Sequence, residues 1–217
     1  PLTNKKPKPL LEIGGITLLE RAINLLINHG VKEISVNIHH LGDQIEKYIS
    51  DLKSEVKIKI SNEKDSLLDT GGGVKKGTKD FKENPFFVIN PDTLWSNKYS
   101  KEVQSLEKEY FTNKRPCLLL VKKKLSLDNS FKGDFNLNNN VISKDEHNQF
   151  IFTGLQIIKN DHLLSFNKDI FSMNEVWAKL ISEKNLGGLE SNQKFYHLNT
   201  FETVSYTHLT LPTISTV

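Results

Sequence analysis

One cysteine and one methionine stand among the 217 residues. A single thiol excludes an internal disulfide. Cys117 lies in the apolar run CLLLV, where it reads as a core residue rather than a nucleophile. This fits a reducing cytoplasm. No apolar run approaches the ~20 residues needed to cross a bilayer, and no secretory signal is visible. Charge of either sign is also scarce in net terms. The formal balance of +3 mildly favours anionic ligands and does not indicate nucleic acid. There is no internal repeat, low complexity is confined to the NLNNN run, and no linker marks a second domain. What remains is an ordinary globular composition, 37% hydrophobic and 25% charged, on a chain long enough for one α/β domain.

The two ends differ from the body. The chain begins at Pro1 and enters PLTNKKPKPLL, where Pro7 and Pro9 forbid a helix. This is an extended basic arm. Lys8, held between two prolines, is the lysine in it best suited to meet a phosphate. A second lysine cluster, Lys122 to Lys124, reads as a solvated strand end. Residues 205–217, within SYTHLTLPTISTV, are β-branched and free of charged side chains. They read as a non-native tail and are set aside, leaving residues 1–204 as the domain.

Between the ends, helix and strand patterns alternate. Residues 17–30 form the clearest helix, with Thr17 and Glu20 as a capping box, Gly30 as the stop and a broad face of Leu, Ile and Ala. Residues 34–38 read as a buried parallel strand, and His39, His40, Leu41 and Gly42 follow as a turn that either lines a ligand or is a plain loop. A helix over 43–52, a strand over 56–60, a helix after the glycines, a strand over 86–89, a helix over 101–111 and a strand over 116–121 continue the series. This order calls for a Rossmann-like, mostly parallel sheet flanked by helices, with ligands beyond the carboxyl ends of its strands. Later elements are less regular: strands over 131–137 and 150–158, a helix over 174–184 and a last strand over 195–198. Gly154 interrupts the second of these strands, which points to a bulge or to close approach of a ligand.

The most informative stretch is LLDTGGGVKKGTKDFKENPFFVINPDTLW, residues 67–95. Gly71, Gly72 and Gly73 let a flat ligand press on bare backbone, and the helix they open aims N–H groups at negative charge. Asp92 stands where Asn90 and Pro91 break the strand, a natural place to hold a divalent cation on phosphate oxygens. Three glycines are more often a turn, and a strand-end Asp more often a cap. Together they suggest a nucleotide site with a metal.

Several of these segments resemble the sugar-1-phosphate nucleotidyltransferases. They are PKPLL with the helix that follows, HHLGDQI, LLDTGGGVKK, FFVINPDTLW, FTGLQII and FYHLNTFETV, and the likeness runs to about Val204. The resemblance implies the nucleotide-diphospho-sugar transferase fold and transfer of a nucleoside monophosphate from an NTP to a sugar 1-phosphate, with Mg²⁺ and release of pyrophosphate. The branch implied contains N-acetylmuramate-1-phosphate uridylyltransferase and mannose-1-phosphate guanylyltransferase-like proteins, and the reading leans to uridylyl transfer. Carried over, Lys8 contacts the phosphates, Asp69, Thr70, Gly71 and Gly72 bracket base and ribose, Asp92 holds Mg²⁺ and Gly154 lines the sugar pocket.

Three departures from the family pattern follow. A first strand and a glycine-rich loop of the type LAAGxGTRM, expected directly before PLT, are not in the sequence, so the chain as written is expected to lack normal activity. Pro91 replaces the usual Gly before Asp92. The late D-x-G-T pattern reads His197-Leu198-Asn199-Thr200, and His suits Mg²⁺ poorly as a second ligand. A silent nucleotide-sugar binding module is the alternative that Pro91 and His197 motivate.

Overall fold

The computed structural model describes residues 5–64 and 67–198. The tail expected over 205–217, Asn199 and Thr200 lie outside the described residues. The elements, in chain order, are β1 (Glu12–Ile13), β2 (Ile16–Thr17), α1 (Leu18–Asn28), β3 (Glu33–Ile38), α2 (Gly42–Asp51), β4 (Lys57–Asn62), α3 (Asp69–Gly77), β5 (Phe86–Ile89), α4 (Ser100–Asn113), β6 (Cys117–Lys122), β7 (Asn136–Asn138), β8 (Val141–Ser143), β9 (Phe150–Ile158), α5 (Asn160–Leu164), α6 (Met173–Ser182) and β10 (Gly187–Ser191). This is a mixed α/β fold with a central sheet flanked by helices.

α1 shows how local sequence sets an element. The Thr17 hydroxyl oxygen accepts from the Glu20 amide at 3.1 Å, and Gly30 adopts φ +98° just past the C-terminus, where a side chain would be strained. Only half of the capping box forms. Glu20 instead accepts from the Tyr48 hydroxyl at 2.6 Å, which ties α1 to α2.

The sheet is less parallel than its alternation predicts. One six-stranded sheet runs in the order β5-β9-β6-β10-β8-β7, while β3 and β4 form a separate parallel pair. Within the larger sheet β10 is parallel to β6, but β9 lies antiparallel between β5 and β6. β9 follows the β7–β8 hairpin and so re-enters the sheet in the return direction.

The later readings are revised as well. Of residues 131–137 only 136–137 enter a strand, and 195–198 form no strand; Phe195 and His197 make isolated bridges to Ser126 and Thr93. β10, rich in glycine, was not anticipated.

The two faces of the large sheet carry separate cores, because successive strand residues point to opposite sides. Leu118 and Leu120 face α3, α5 and α6, with Val176, Trp177 and Leu180. Cys117 and Leu119 face α4, with Val103 and Leu106. A third cluster joins α1 and α2 to β3 and reaches Phe87 and Ile89 of β5. Among the described residues no helix is long and apolar enough to cross a membrane.

Candidate functional site

β5 ends at Ile89, and the chain beyond it is stitched to its surroundings. The Asn90 amide donates to the Gly154 carbonyl at 2.8 Å, and the Trp95 indole donates to the Asn90 carbonyl at 2.7 Å. The Thr93 hydroxyl donates to the Thr153 carbonyl at 2.7 Å, and the Leu198 amide to the Asp92 carbonyl at 2.9 Å. Asp92 is therefore held between β9 and the segment carrying His197.

Lys8 reaches the same point from the N-terminal arm. Pro7 starts a single 3-10 turn over Lys8–Leu10, and Leu10 is buried beneath it. The Lys8 ammonium lies 3.2 Å from Asp92 Oδ2, each side chain about a quarter exposed (26% and 28%). Asp92 Oδ1 is buried and has no hydrogen-bond partner among the described residues; His197 Nδ1 stands 3.7 Å from it. The His197 ring is in turn stacked on Phe195. An arm lysine and two residues more than 100 positions apart thus meet at one strand tip.

Gly154 sits at a β-bulge. Opposite Leu119, β9 carries three residues, 153–155, and Gly154 has φ +93°. A Cβ there would stand 2.9 Å from Cβ of Asn90. The glycine is thus required by the strand tip it abuts. The side chains that line the neighbouring cavity from β9 are Phe152 and Gln156.

The glycines of α3 also serve packing. Gly71, Gly72 and Gly73 all lie within the helix and are buried. The Gly71 and Gly72 amides donate to the Phe171 carbonyl at 2.9 and 3.0 Å, so these N–H groups already have a partner. A Cβ at Gly71 would meet the Phe171 ring at 2.5 Å. At Gly72 it would run into the Asp169 carbonyl. The backbone at Gly71 and Gly72 faces the 169–171 loop, whereas Gly73 faces Asn37 and Glu63. Asp69, at φ +60°, and Thr70 remain at the helix start, where Thr70 Oγ1 accepts from the Met173 amide at 2.9 Å.

A cavity of about 1350 Å³ lies next to these parts, although Lys8, Asp92, Gly154 and His197 do not themselves line it. Asp69, Thr70, Asn90 and Pro91 line it, as does Pro9, the neighbour of Lys8. Neither Gly71 nor Gly72 lines it. Two polar groups there escaped sequence reasoning. Gln156 is buried and accepts from the Trp177 indole at 3.0 Å, and Glu63 is buried and accepts from the Leu68 amide at 3.2 Å. Gln156 sits in an apolar strand run and Glu63 in a connecting turn, and neither pattern signals a role.

The arrangement suits a divalent cation shared with a substrate, not a protein cage. No group of three or more metal-ligating side chains occurs among the described residues. Mg²⁺ needs only one or two carboxylates and takes the rest of its shell from water and phosphate. Asp92 Oδ1, which has no hydrogen-bond partner among the described residues, fits that demand.

Residues 1–123 match the family model described as Nucleotidyl transferase. The chain belongs to that family. An N-acetylmuramate alpha-1-phosphate uridylyltransferase from Caulobacter vibrioides is 27% identical over 206 residues, covering 91% of this chain and 85% of the relative. A D-glycero-alpha-D-manno-heptose 1-phosphate guanylyltransferase from Campylobacter jejuni is 35% identical over 95 residues, covering 44% and 42%. Among solved structures, the inositol-1-phosphate CTP transferase from T. maritima superposes with a TM-score of 0.73 at 17% identity, covering 97% of this chain and 91% of that one. HddC from Yersinia pseudotuberculosis, complexed with GMP-PN, gives 0.72 at 19%, covering 94% and 89%. With sugar-1-phosphate nucleotidyltransferases as its relatives, this family member is an enzyme of that class.

Proposed function

We propose that the protein transfers a uridylyl group from UTP to N-acetylmuramate 1-phosphate, releasing pyrophosphate. The observation that carries the chemistry is the meeting of Lys8 and Asp92 at the strand tip, each next in sequence to a residue that lines the cavity, Pro9 and Pro91. A cation and a half-satisfied carboxylate at one strand tip are what charge-neutralising phosphoryl transfer asks of a protein. The choice of uridylyl over guanylyl is supported by the uridylyltransferase relative, whose likeness spans 206 residues, against 95 for the guanylyltransferase.

In this reading Lys8 neutralises phosphate charge and Asp92 holds Mg²⁺. The metal, when bound, draws charge from the phosphate oxygens as pyrophosphate leaves. His197 sits beside Asp92 and steadies the carboxylate, since imidazole is a poor Mg²⁺ ligand. Asp69 and Thr70 border the space for base and ribose. Gly71 and Gly72 let α3 seat on the 169–171 loop, and Gly154 lets β9 pass close to Asn90 at the strand tip.

Pyrophosphate release is measured with four NTPs against several sugar 1-phosphates. The pair UTP and N-acetylmuramate 1-phosphate is expected to lead, and Asp92→Ala to cost about 10² to 10³ in turnover, the scale of losing one group that stabilises transition-state charge. A lead by GTP with a mannose or heptose 1-phosphate overturns the uridylyl assignment. Mg²⁺ dependence unaltered in Asp92→Ala favours the silent binding module. The same assay, run with and without an N-terminal strand and glycine-rich loop, tests whether the chain needs that addition.

A further inference from the structure

α3 separates two spaces. Thr70, Gly73, Val74 and Gly77 line the large cavity, while Gly72, Lys75 and Lys76 line a second cleft of about 530 Å³. Each set follows helical spacing, and the two are offset by two positions, about half a turn of helix. The cleft thus lies on the outer face of α3. Leu68, Asp169 and three residues of α5, Asn160, Asp161 and Leu164, also line it, as do Lys79, Lys82 and Glu83 from the chain just past α3. Lys82 alone lines both spaces. A buried contact fixes the cleft's shape. The Asn160 side-chain amide donates to the Thr78 carbonyl at 2.7 Å, and its oxygen accepts from the Thr78 hydroxyl at 2.8 Å. This ties α5 to the end of α3, and a preorganised cleft loses less on binding.

The charge of the cleft is unbalanced. Lys159 pairs with Glu83 and with Asp161, each at 3.2 Å, and the Lys75 ammonium stands 3.6 Å from Asp169. The three carboxylates that line the cleft are therefore already answered. Lys76 donates to the Asn62 carbonyl, which leaves its charge unneutralised. Lys75 and Lys76 sit in the last turn of α3, where they also suit the helix dipole. Lys79 and Lys82 lie beyond that turn and are exposed, and their ammonium groups make no ion pair or hydrogen bond among the described residues. Like charges gathered at one cleft repel, and a bound anion relieves that repulsion. Leu164 is 61% exposed beside them. Lysines on a convex helix are an ordinary solvated face. Here they border a cleft whose volume falls in the range of small-molecule sites, roughly 300 to 1,000 Å³.

We propose that the cleft between α3 and α5 binds a small phosphorylated molecule, separate from the reacting substrates, with its phosphate groups on Lys76, Lys79 and Lys82 and its body against Leu68 and Leu164. Lysine suits this task, because an ammonium on a flexible stem meets phosphate as a point charge. The proposal stands on the outer face of α3 and is independent of the proposed reaction.

The full chain is titrated with pyrophosphate and with ADP, without added metal. Amide NMR shifts are read at Asn160, Asp161, Leu164 and Asp169, which line the cleft and not the cavity. Saturable shifts are expected there, with a Kd of about 1 mM or below. Tighter binding of ADP shows that the body adds contacts, and equal binding shows that the phosphates suffice; both support the site. Lys79→Glu with Lys82→Glu is expected to weaken binding by at least about tenfold, the scale of losing a hydrogen bond to a charged group. Lys79→Gln with Lys82→Gln, a milder change, is expected to weaken it in the same direction with the urea midpoint unchanged. Lys47→Glu with Lys53→Glu makes the same charge change on and just past α2, and is expected to leave binding within about twofold, because salt screens distant charge. No saturable shift at those four amides, equal losses in the two charge-reversed pairs, or tighter binding of a hexaglutamate peptide than of ADP overturns the proposal.

Discussion

Cys117 illustrates how far one residue's surroundings decide its chemistry. Burial on the α4 face pushes its thiol from an ordinary 9.0 up to about 12, with Glu109 adding to the rise and Arg115 opposing it. A group held protonated in the fold stabilises it fully below pH 9 and loses that contribution as pH climbs toward 12. Between those limits it contributes a slope of about 1.4 kcal/mol per pH unit. Cys117→Ala is thus expected to flatten the fall in urea stability between pH 9 and 11, whatever its constant packing cost. Equal slopes in both proteins would show that the thiol is not screened from water. Its core role was legible in CLLLV. The place of Asp92 just past a strand end was legible too, from the Asn90-Pro91 break. The partner of Gly72 was not, because the Asp169 carbonyl lies 97 positions away and no local pattern encodes it.

α3 is the element whose sequence and structure diverge most. Its glycines suggested a ligand cradle, yet two of them let the helix sit against the 169–171 loop. At Gly72 a methyl group would overlap a backbone carbonyl, which cannot swing aside. At Gly73 the nearest atoms, 2.7 Å away, are the side-chain ends of Asn37 and Glu63, which can give. Overpacking costs about 1 to 3 kcal/mol and alanine returns up to about 1 through helix propensity. Gly72→Ala is therefore expected to lose about 2 kcal/mol in urea denaturation, and Gly73→Ala markedly less. The reverse order would mean that α3 rests on β3 rather than on the loop. Elements with a strong period, α1, β5 and β9, were readable close to their true limits. β10 was not, because Gly187 and Gly188 resemble a turn. A Cβ on Gly188 would stand 2.9 Å from Ile142 and Leu137, a closeness visible only once the β7–β8 hairpin is in place.

For the molecule as a whole, alternation of helix and strand was enough to foresee an α/β sandwich, since each crossover must bury an apolar helix face on the sheet. It could not reveal that β9 turns back between β5 and β6, because strand direction depends on pairing and not on period. Nor could it locate the split between the β3–β4 pair and the six-stranded sheet. That split has an energetic consequence. β6 is flanked by β9 and β10, and Cys117, Leu118, Leu119 and Leu120 are at most 1% exposed. Among the described strands β3 has one neighbour; a cavity lies along its other edge, and within β3 only Ile34 and Ile38 are buried. Local opening needs less free energy where fewer apolar contacts and ladder bonds break. Native-state hydrogen exchange at low urea should therefore release the amides of β3 and β4 well before those of β6 and β9. The β6 amides should exchange only with global unfolding, while those of β3 follow a shallower urea dependence. A single common opening energy for all four strands would show that α1 and α2 clamp the β3–β4 pair to the larger sheet as firmly as a continuous hydrogen-bond ladder would.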